Sequence, residues 1–246
     1  MNAAIQKVPF WSTVGNAYLF VIVNFLDFLR LTWVLMVLTF ALNFVLYPEP
    51  QLQIQEASNL ATAGIGFYAL WGFNTLIAAI FIVAWHRLIL LEEHGSSRWF
   101  HLALGKRELL ILFIMILIAA TQRFLSFTAL DLLPAYFAIG FTLLLGASFL
   151  ALLIAARLCT LYPRVALDKV ISIKLCWRET RKNTFRILFG LVLCSVPSAL
   201  MGKHLVSLMM TGPIFYYLLS ATLGFLNYAI IVTFLSFCFK SLHAPE

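Results

Sequence analysis

Residues 60–85 read LATAGIGFYALWGFNTLIAAIFIVAW, a run without a single charged side chain. About 20 apolar residues are enough for an α-helix to cross the roughly 30 Å hydrocarbon layer of a bilayer. In lipid, a helix satisfies the main-chain hydrogen bonds of its own segment, which an isolated strand cannot do. The stretch therefore predicts a transmembrane helix.

Five further apolar stretches of similar character follow the same rule. They cover approximately residues 31–47, 109–127, 132–156, 185–205 and 213–239. The loops between them are too short to hold a soluble domain. The sequence predicts an all-α polytopic membrane protein with six transmembrane helices, forming a single domain over residues 1–246.

The composition excludes several other classes of protein. Of the 246 residues, 63% are hydrophobic and 11% are charged, whereas soluble domains average about 45–50% apolar and about 25% charged residues. This composition also excludes intrinsic disorder, because disordered chains need low hydrophobicity and high charge. The net charge of +7 is not carried by the soluble polar surface that nucleic-acid-binding proteins display. We therefore expect no nucleic-acid partner and interpret the positive charge as a topology signal.

The basic residues are distributed unevenly across the predicted membrane. Only Arg123 and Lys203 fall on the side of the first loop, which carries Glu49 and Glu56. Cytoplasmic segments next to spans retain Lys and Arg, so we expect both termini in the cytoplasm. The other fifteen basic residues fall on the opposite side: Lys7, Arg30, Arg87, Arg98, Lys106, Arg107, Arg157, Arg164, Lys169, Lys174, Arg178, Arg181, Lys182, Arg186 and Lys240.

The N-terminal segment is too long for one crossing. Residues 17–47 would give about 46 Å of helix, more than the hydrocarbon layer needs. The simplest division is an N-terminal interfacial helix before Arg30 and a span that starts near Leu31. Asp27 and Arg30 stand three residues apart and are predicted to form an ion pair near the interface.

Residues 157–186 form the one long polar loop, on the predicted cytoplasmic side. In its second half Ile173, Cys176 and Trp177 fall roughly opposite a basic face. An amphipathic basic helix of this kind is typical of docking on an anionic leaflet or on a protein partner. The basic face consists of Lys174, Arg178, Arg181 and Lys182.

Three asparagines lie inside predicted spans, namely Asn43, Asn74 and Asn227. An amide in lipid needs a hydrogen-bond partner, so these residues either line a polar pathway or join neighbouring helices. Pro197 lies inside the fifth span and is predicted to kink it, with Ser195 or Ser198 available to the freed carbonyl.

Signatures of catalysis and metal binding are missing from the sequence. There is no G-x-S-x-G, no H-E-x-x-H, no phosphate-binding glycine loop and no pair of carboxylates inside a span. His86, His94 and His101 have a spacing that matches no metal motif. The four cysteines include no C-x-x-C pair and are expected to be reduced thiols. We predict neither a catalytic residue nor a metal site, and no cofactor.

The segment from Leu161 reads LYPRVALDKVISIKLCWRETRKNTFRILFG. It resembles a segment of the YciC-like family of bacterial inner-membrane proteins and of the related membrane domain of glycerophosphodiester phosphodiesterases. The resemblance implies a six-helix bundle in a bacterial inner membrane. We do not expect phosphodiesterase activity, because these 246 residues contain no catalytic domain of that kind. The matching positions are Pro163, Ala166, Asp168, Trp177, Arg178, Thr180 and Asn183.

Three functions are compatible with this pattern. The first is a non-enzymatic scaffold or accessory subunit of a membrane assembly, with the bilayer, other membrane subunits or a second copy as partner. The second is the permease subunit of a transporter whose ATPase is a separate chain. The third is a lipid-handling membrane protein, for which the basic face of the polar loop is the motivating feature.

Overall fold

The computed structural model describes residues 7–47, 49, 51, 64–92, 104–132, 137–208 and 212–243. Side chains of residues 122–132, 137–140, 144, 147, 202–203 and 206–208 lie outside this description. The described chain folds into α-helices and contains no strand, which confirms the predicted all-α class. Within it, four helices are long and apolar enough to cross a membrane: Phe25–Leu46, Ile65–Leu91, Thr184–Met201 and Pro213–Leu242.

The helices alternate between the two ends of a bundle. Its basic end is where α3 and α9 finish and where α4 and α8 begin. In chain order the described helices are α1 Phe10–Val23, α2 Phe25–Leu46, α3 Ile65–Leu91, α4 Lys106–Leu132, α5 Phe137–Arg157, α6 Leu161–Ala166, α7 Ile173–Thr180, α8 Thr184–Leu208 and α9 Pro213–Leu242.

Several helices extend beyond the apolar stretches. The helix α2 begins at Phe25 rather than near Leu31, and α3 continues past Trp85 to Leu91. Leu132, predicted to open the fourth span, instead ends α4. The length of an apolar run reflects the thickness of the hydrocarbon layer. The helix itself can continue into polar residues, because its main-chain hydrogen bonds do not depend on apolar side chains.

Helices α3 and α9 pack against each other through side-chain hydrogen bonds in the core. Trp85 Nε1 donates to Thr233 Oγ1 over 2.9 Å, and His86 Nδ1 lies 2.7 Å from Ser236 Oγ. The Ser236 hydroxyl also lies 2.9 Å from the Val232 carbonyl of its own helix. All four side chains are fully buried. They fix the register of two apolar helices whose other contacts are non-directional.

Aromatic rings fill the centre of the bundle beside this contact. Phe81 lies edge-to-face on Phe225 with ring centroids 5.5 Å apart, and it stacks on Trp85 at 5.8 Å. Phe28 of α2 meets both Phe81 and Trp85 edge-on. Edge-to-face and offset contacts are the arrangements that ring quadrupoles favour. These four rings join α2, α3 and α9 at one level.

A proline interrupts the hydrogen bonding of α8. Pro197 has no N–H and therefore cannot bond to the Leu193 carbonyl one turn earlier. The Tyr18 hydroxyl of α1 donates to that carbonyl over 2.8 Å. Ser195 and Ser198, the expected partners, donate instead to Leu191 O and Ser195 O, so that expectation was wrong. The Leu193 carbonyl thus receives its hydrogen bond from another helix, α1, and not from a serine of α8.

The first two helices meet at Asn24. The main-chain bonds Asn24 N to Phe20 O and Phe28 N to Asn24 O, each 2.9 Å, continue through the junction. One end of α1 touches the start of α8 through Val8 and Asn183, and Phe20 near its other end packs on Trp85 and Phe237. Helix α1 thus passes from α8 to α3 and α9 and links three long helices.

We predict that Tyr18→Phe destabilises the protein by about 1–3 kcal/mol, because it leaves the Leu193 carbonyl without a donor among partly buried side chains. The measurement is thermal unfolding of purified protein in mild detergent. Tyr162→Phe is the matched control, since the structure records no hydrogen bond from the Tyr162 hydroxyl to any described residue. Equal melting temperatures for the two variants would contradict the assignment.

Candidate functional site

Helix α4 is joined to the polar loop by an ion pair at the basic end. Arg107 Nε donates to Asp168 Oδ1 over 2.6 Å, and Arg107 Nη2 bonds to the other carboxylate oxygen. This hydrogen bonding lowers the pKa of Asp168. Asp168 follows α6 in a left-handed conformation, with φ of 53°, which Asp tolerates better than most residues. The Arg87 guanidinium holds the same turn by donating to the Ala166 carbonyl.

A second ion pair lies deeper and connects three elements. Arg164 of α6 bonds to Glu179 of α7, and His243 at the end of α9 lies 3.2 Å from both. Arg164 is only 6% exposed. Its guanidinium also lies over the Phe239 ring, 5.8 Å from the centroid. A buried charge needs a partner, so this pair fixes where α7 sits against the end of the bundle.

The short helix α7 buries one narrow strip. Cys176 and Thr180, one turn apart, are fully buried. The Thr180 hydroxyl donates to the Arg157 carbonyl over 3.0 Å, while Arg157 stacks on the Trp177 ring at 5.0 Å. Ser172 caps the helix by accepting from Leu175 N. Helix α7 therefore lies against the end of α5 rather than projecting away.

The chain leading into α1 is held at the same place. Asn183 Oδ1 accepts from Val8 N over 3.0 Å, and Arg186 Nη1 donates to Val8 O over 3.1 Å. Asn183 is fully buried. The segment 157–186 is thus a junction, hereafter the polar junction, where α1, α3, α4, α5, α8 and α9 are tied together. Most positions of the family resemblance make one of these contacts, through Ala166, Asp168, Trp177, Thr180 and Asn183.

The four residues of the predicted basic face are all exposed. Lys174 and Arg178 lie on α7, and Arg181 and Lys182 follow in the turn before α8. The structure records no ion pair between these four and any described acidic residue. Cys176 lies on the opposite, buried side as expected.

Ile173 and Trp177, which were expected on the face opposite the basic one, are not buried with Cys176. They are 63% and 43% exposed, because an eight-residue helix buries only the strip of Cys176 and Thr180. Val170 and Ile171, just before α7, are also exposed, at 77% and 47%. Basic and apolar side chains are therefore both exposed along this segment, which is the composition of a segment that meets lipid headgroups.

The pair Asp27 and Arg30 forms on the first turns of α2. Arg30 Nη1 lies 3.4 Å from Asp27 Oδ1, and the two side chains are 52% and 25% exposed. An exposed pair of this kind contributes little to stability, on the order of 0–1 kcal/mol. The pair follows Asn24, the residue that separates α1 from α2.

The three asparagines divide into two arrangements. Asn43 Nδ2 lies 3.4 Å from Asn74 Oδ1 and 2.6 Å from Thr39 O, which joins α2 to α3. Asn227 Oδ1 accepts from the Ser198 hydroxyl over 3.0 Å, joining α9 to α8 just beyond Pro197. Asn43 and Asn74 also line a cavity, and Asn227 does not.

The contact between Trp85, His86, Thr233 and Ser236 was missed from the sequence. His86, which follows the apolar run 60–85, is fully buried. The sequence does contain a signal for this contact, namely two small hydroxyl residues one turn apart in an apolar helix, Thr233 and Ser236. His94 and His101 lie outside the described residues, and the described residues contain no group of three His, Cys, Asp or Glu side chains suited to a metal.

Comparison of the chain with protein-family models, with curated proteins and with solved structures finds no match. The chemistry of the site therefore has to be taken from its own residues. It offers exposed positive charge and exposed apolar surface on a rigid support, a combination suited to binding anions at a membrane surface.

We predict that Glu179→Gln lowers stability by about 3 kcal/mol, because it leaves the buried Arg164 guanidinium without its carboxylate. The measurement is the melting temperature in detergent. Glu92→Gln is the matched control: Glu92 is 75% exposed and lies 3.7 Å from Lys240, so its loss should have almost no effect. A melting temperature for Glu179→Gln within error of the control would refute the structural role of the pair.

Proposed function

We propose that the chain is a six-span integral membrane protein that acts without catalysis as a scaffold or accessory subunit of a membrane assembly. Four described helices are long and apolar enough to span. In this proposal the other two spans are α4 and α5, which have 27 and 21 residues. Exposed leucine, isoleucine and phenylalanine along the helices are the surface that lipid covers.

The orientation we propose places the basic end in the cytoplasm. Val8 and His243, near the two ends of the described chain, both contact residues of the polar junction. The positive-inside rule then assigns both ends to the cytoplasmic side. Helix α1, which starts beside the polar junction at Val8 and contacts α3 and α9 through Phe20, is the interfacial helix of this proposal. The resemblance to YciC-like proteins supports a bacterial inner membrane.

The observation that carries the scaffold role is the division of the basic side chains at this end. Arg107, Arg157 and Arg164 are engaged inside the polar junction and hold it rigid. Lys174, Arg178, Arg181 and Lys182 stand outward beside exposed apolar residues. These four side chains take no part in the ion pairs recorded among the described residues of the polar junction. A rigid surface that presents free positive charge is what a scaffold needs to hold anionic headgroups or an acidic partner in register.

We predict that the basic face retains anionic lipid. Each basic residue near a negatively charged surface contributes roughly 1 kcal/mol, so Lys174→Gln with Lys182→Gln should weaken retention of phosphatidylglycerol roughly tenfold or more. The measurement is native mass spectrometry of protein taken from nanodiscs of mixed phosphatidylglycerol and phosphatidylcholine.

The matched control is Lys7→Gln with Lys106→Gln, which removes the same charge from the same end of the bundle but outside the basic face. Both lysines are exposed. If the control pair lowers retention as much as the basic-face pair, the effect is one of net charge and the docking surface is refuted. Size-exclusion chromatography in mild detergent tests the scaffold role separately. A monodisperse monomer without a partner subunit would count against it.

We predict that a cysteine at residue 7 and a cysteine at residue 243 are both labelled from the cytoplasmic side only. The reagent is a membrane-impermeant maleimide applied to intact cells and to inverted vesicles. The native thiols are suited as background because Cys159, Cys176, Cys194 and Cys238 are all buried. Labelling of either position in intact cells would overturn the orientation.

A further inference from the structure

The half of the bundle away from the basic end contains a polar cavity. Its volume is about 400 Å³, within the range of small-molecule sites. It lies between α2, α3 and α9, and one face of each helix contributes to it. Along α3 the lining runs from Phe67 to Ala78, which is about 16 Å of helix at 1.5 Å per residue.

The cavity is closed at its inner end. Phe225 belongs to the lining, and its ring packs on Phe81, which stacks on Trp85. Phe28 of α2 covers the same rings. Beyond them lie the buried hydrogen bonds of Trp85 with Thr233 and of His86 with Ser236. Within the part of the chain that the structure describes, the cavity therefore ends at these rings in the middle of the bundle.

The hydrogen-bonding groups of the lining exceed what helix packing uses. Asn43 is committed to Thr39 O and to Asn74 Oδ1. The structure records no hydrogen bond to a described residue from Asn74 Nδ2, from the Ser220 hydroxyl, or from the hydroxyls of Tyr216 and Tyr228. A molecule in the cavity can therefore bond to these groups without breaking a contact between helices.

Among the residues that the structure describes, none that lines the cavity carries a charged side chain. Its members are amides, hydroxyls, aromatic rings and small apolar groups. A charged ligand would lose its hydration here without gaining an opposite charge, so the site selects against ions. Trp71, Phe67 and the tyrosines supply flat apolar faces beside the amides and hydroxyls.

We infer that this cavity binds an uncharged polyhydroxylated ring, either a free sugar or the sugar headgroup of a neutral glycolipid. Such a ring presents hydroxyls at its rim, which match Asn74, Ser220 and Tyr216, and a C–H face that packs on an aromatic ring such as Trp71. The inference does not depend on the scaffold role or on the basic face, which lies at the other end.

The test uses the full chain in phosphatidylcholine nanodiscs and saturation-transfer difference NMR. The soluble probes are methyl β-D-glucoside and maltose, with glucuronate and glucosamine as charged counterparts. We expect transfer to the neutral sugars above that of empty nanodiscs, and at least threefold less transfer to the charged ones. Equal transfer to charged and neutral probes would overturn the inference.

A second arm separates the two sources of the ring. Nanodiscs are prepared with and without monoglucosyl diacylglycerol. If the cavity holds a lipid headgroup, the glycolipid lowers the signal of the soluble sugars and is retained in native mass spectra. If it holds a free sugar, the signal is unchanged. Absence of both soluble-sugar transfer and glycolipid retention would overturn the inference.

Two pairs of variants locate the binding. Gly224→Leu fills the cavity, and a Cβ at Gly224 meets nothing within 4 Å, so the helix accepts the change. Gly72→Leu is its control, on open space outside the cavity. Asn74→Leu removes an amide from the lining, and Asn227→Leu removes one that bonds to Ser198 elsewhere. Binding should fall at least fivefold in the first member of each pair only. Unchanged binding in Gly224→Leu would place the sugar elsewhere.

Discussion

A main-chain carbonyl surrounded by apolar side chains must find a donor, and in this protein that requirement decides where the first helix lies. Pro197 deprives Leu193 O of its helical partner, and the Tyr18 hydroxyl supplies one. The contact draws α1 against α8, and from there Phe20 reaches Trp85 and Phe237. Removing the proline would remove the need for Tyr18. The N–H that Pro197 lacks in α8 thus influences how α1 packs against α3 and α9.

Charge in the structure serves two separate purposes. Near the ends of α4, α5 and α9, Arg107, Arg157, Arg164 and Glu179 make contacts that hold the polar junction together. On α7 and the turn after it, basic side chains face outward. In the opposite half, the cavity between α2, α3 and α9 has polar groups without charge. The two ends of the bundle are therefore suited to different chemistries, anions at one and neutral molecules at the other.

The sequence predicted the class of fold because apolar length and helix are coupled by physics: residues 60–85 have no charge, and α3 covers the described part of them. It predicted which positions carry outward charge, since four basic residues within nine positions have few ways to be buried. It did not predict long-range pairing. Tyr18 with Leu193, and Arg164 with Glu179 and His243, depend on how helices are placed side by side. Asn43, Asn74 and Asn227 share one residue type, and only packing assigns two to a cavity and one to a helix contact.

The contacts of α1 also bear on the order in which the protein assembles. Val8 bonds to Asn183, and Tyr18 to Leu193, across 175 residues of chain in each case. Because α1 is synthesised before α8, Val8 N and the Tyr18 hydroxyl lack these partners until α8 is in place. Thr13 and Asn24 bond within their own segment, to Pro9 O and Phe20 O, so Val8 and Tyr18 are the groups that remain to be paired, which favours holding the segment at the membrane surface. Closure of the bundle by α1 becomes a late step of biogenesis, and Asn183 with Arg186 forms the latch that completes it.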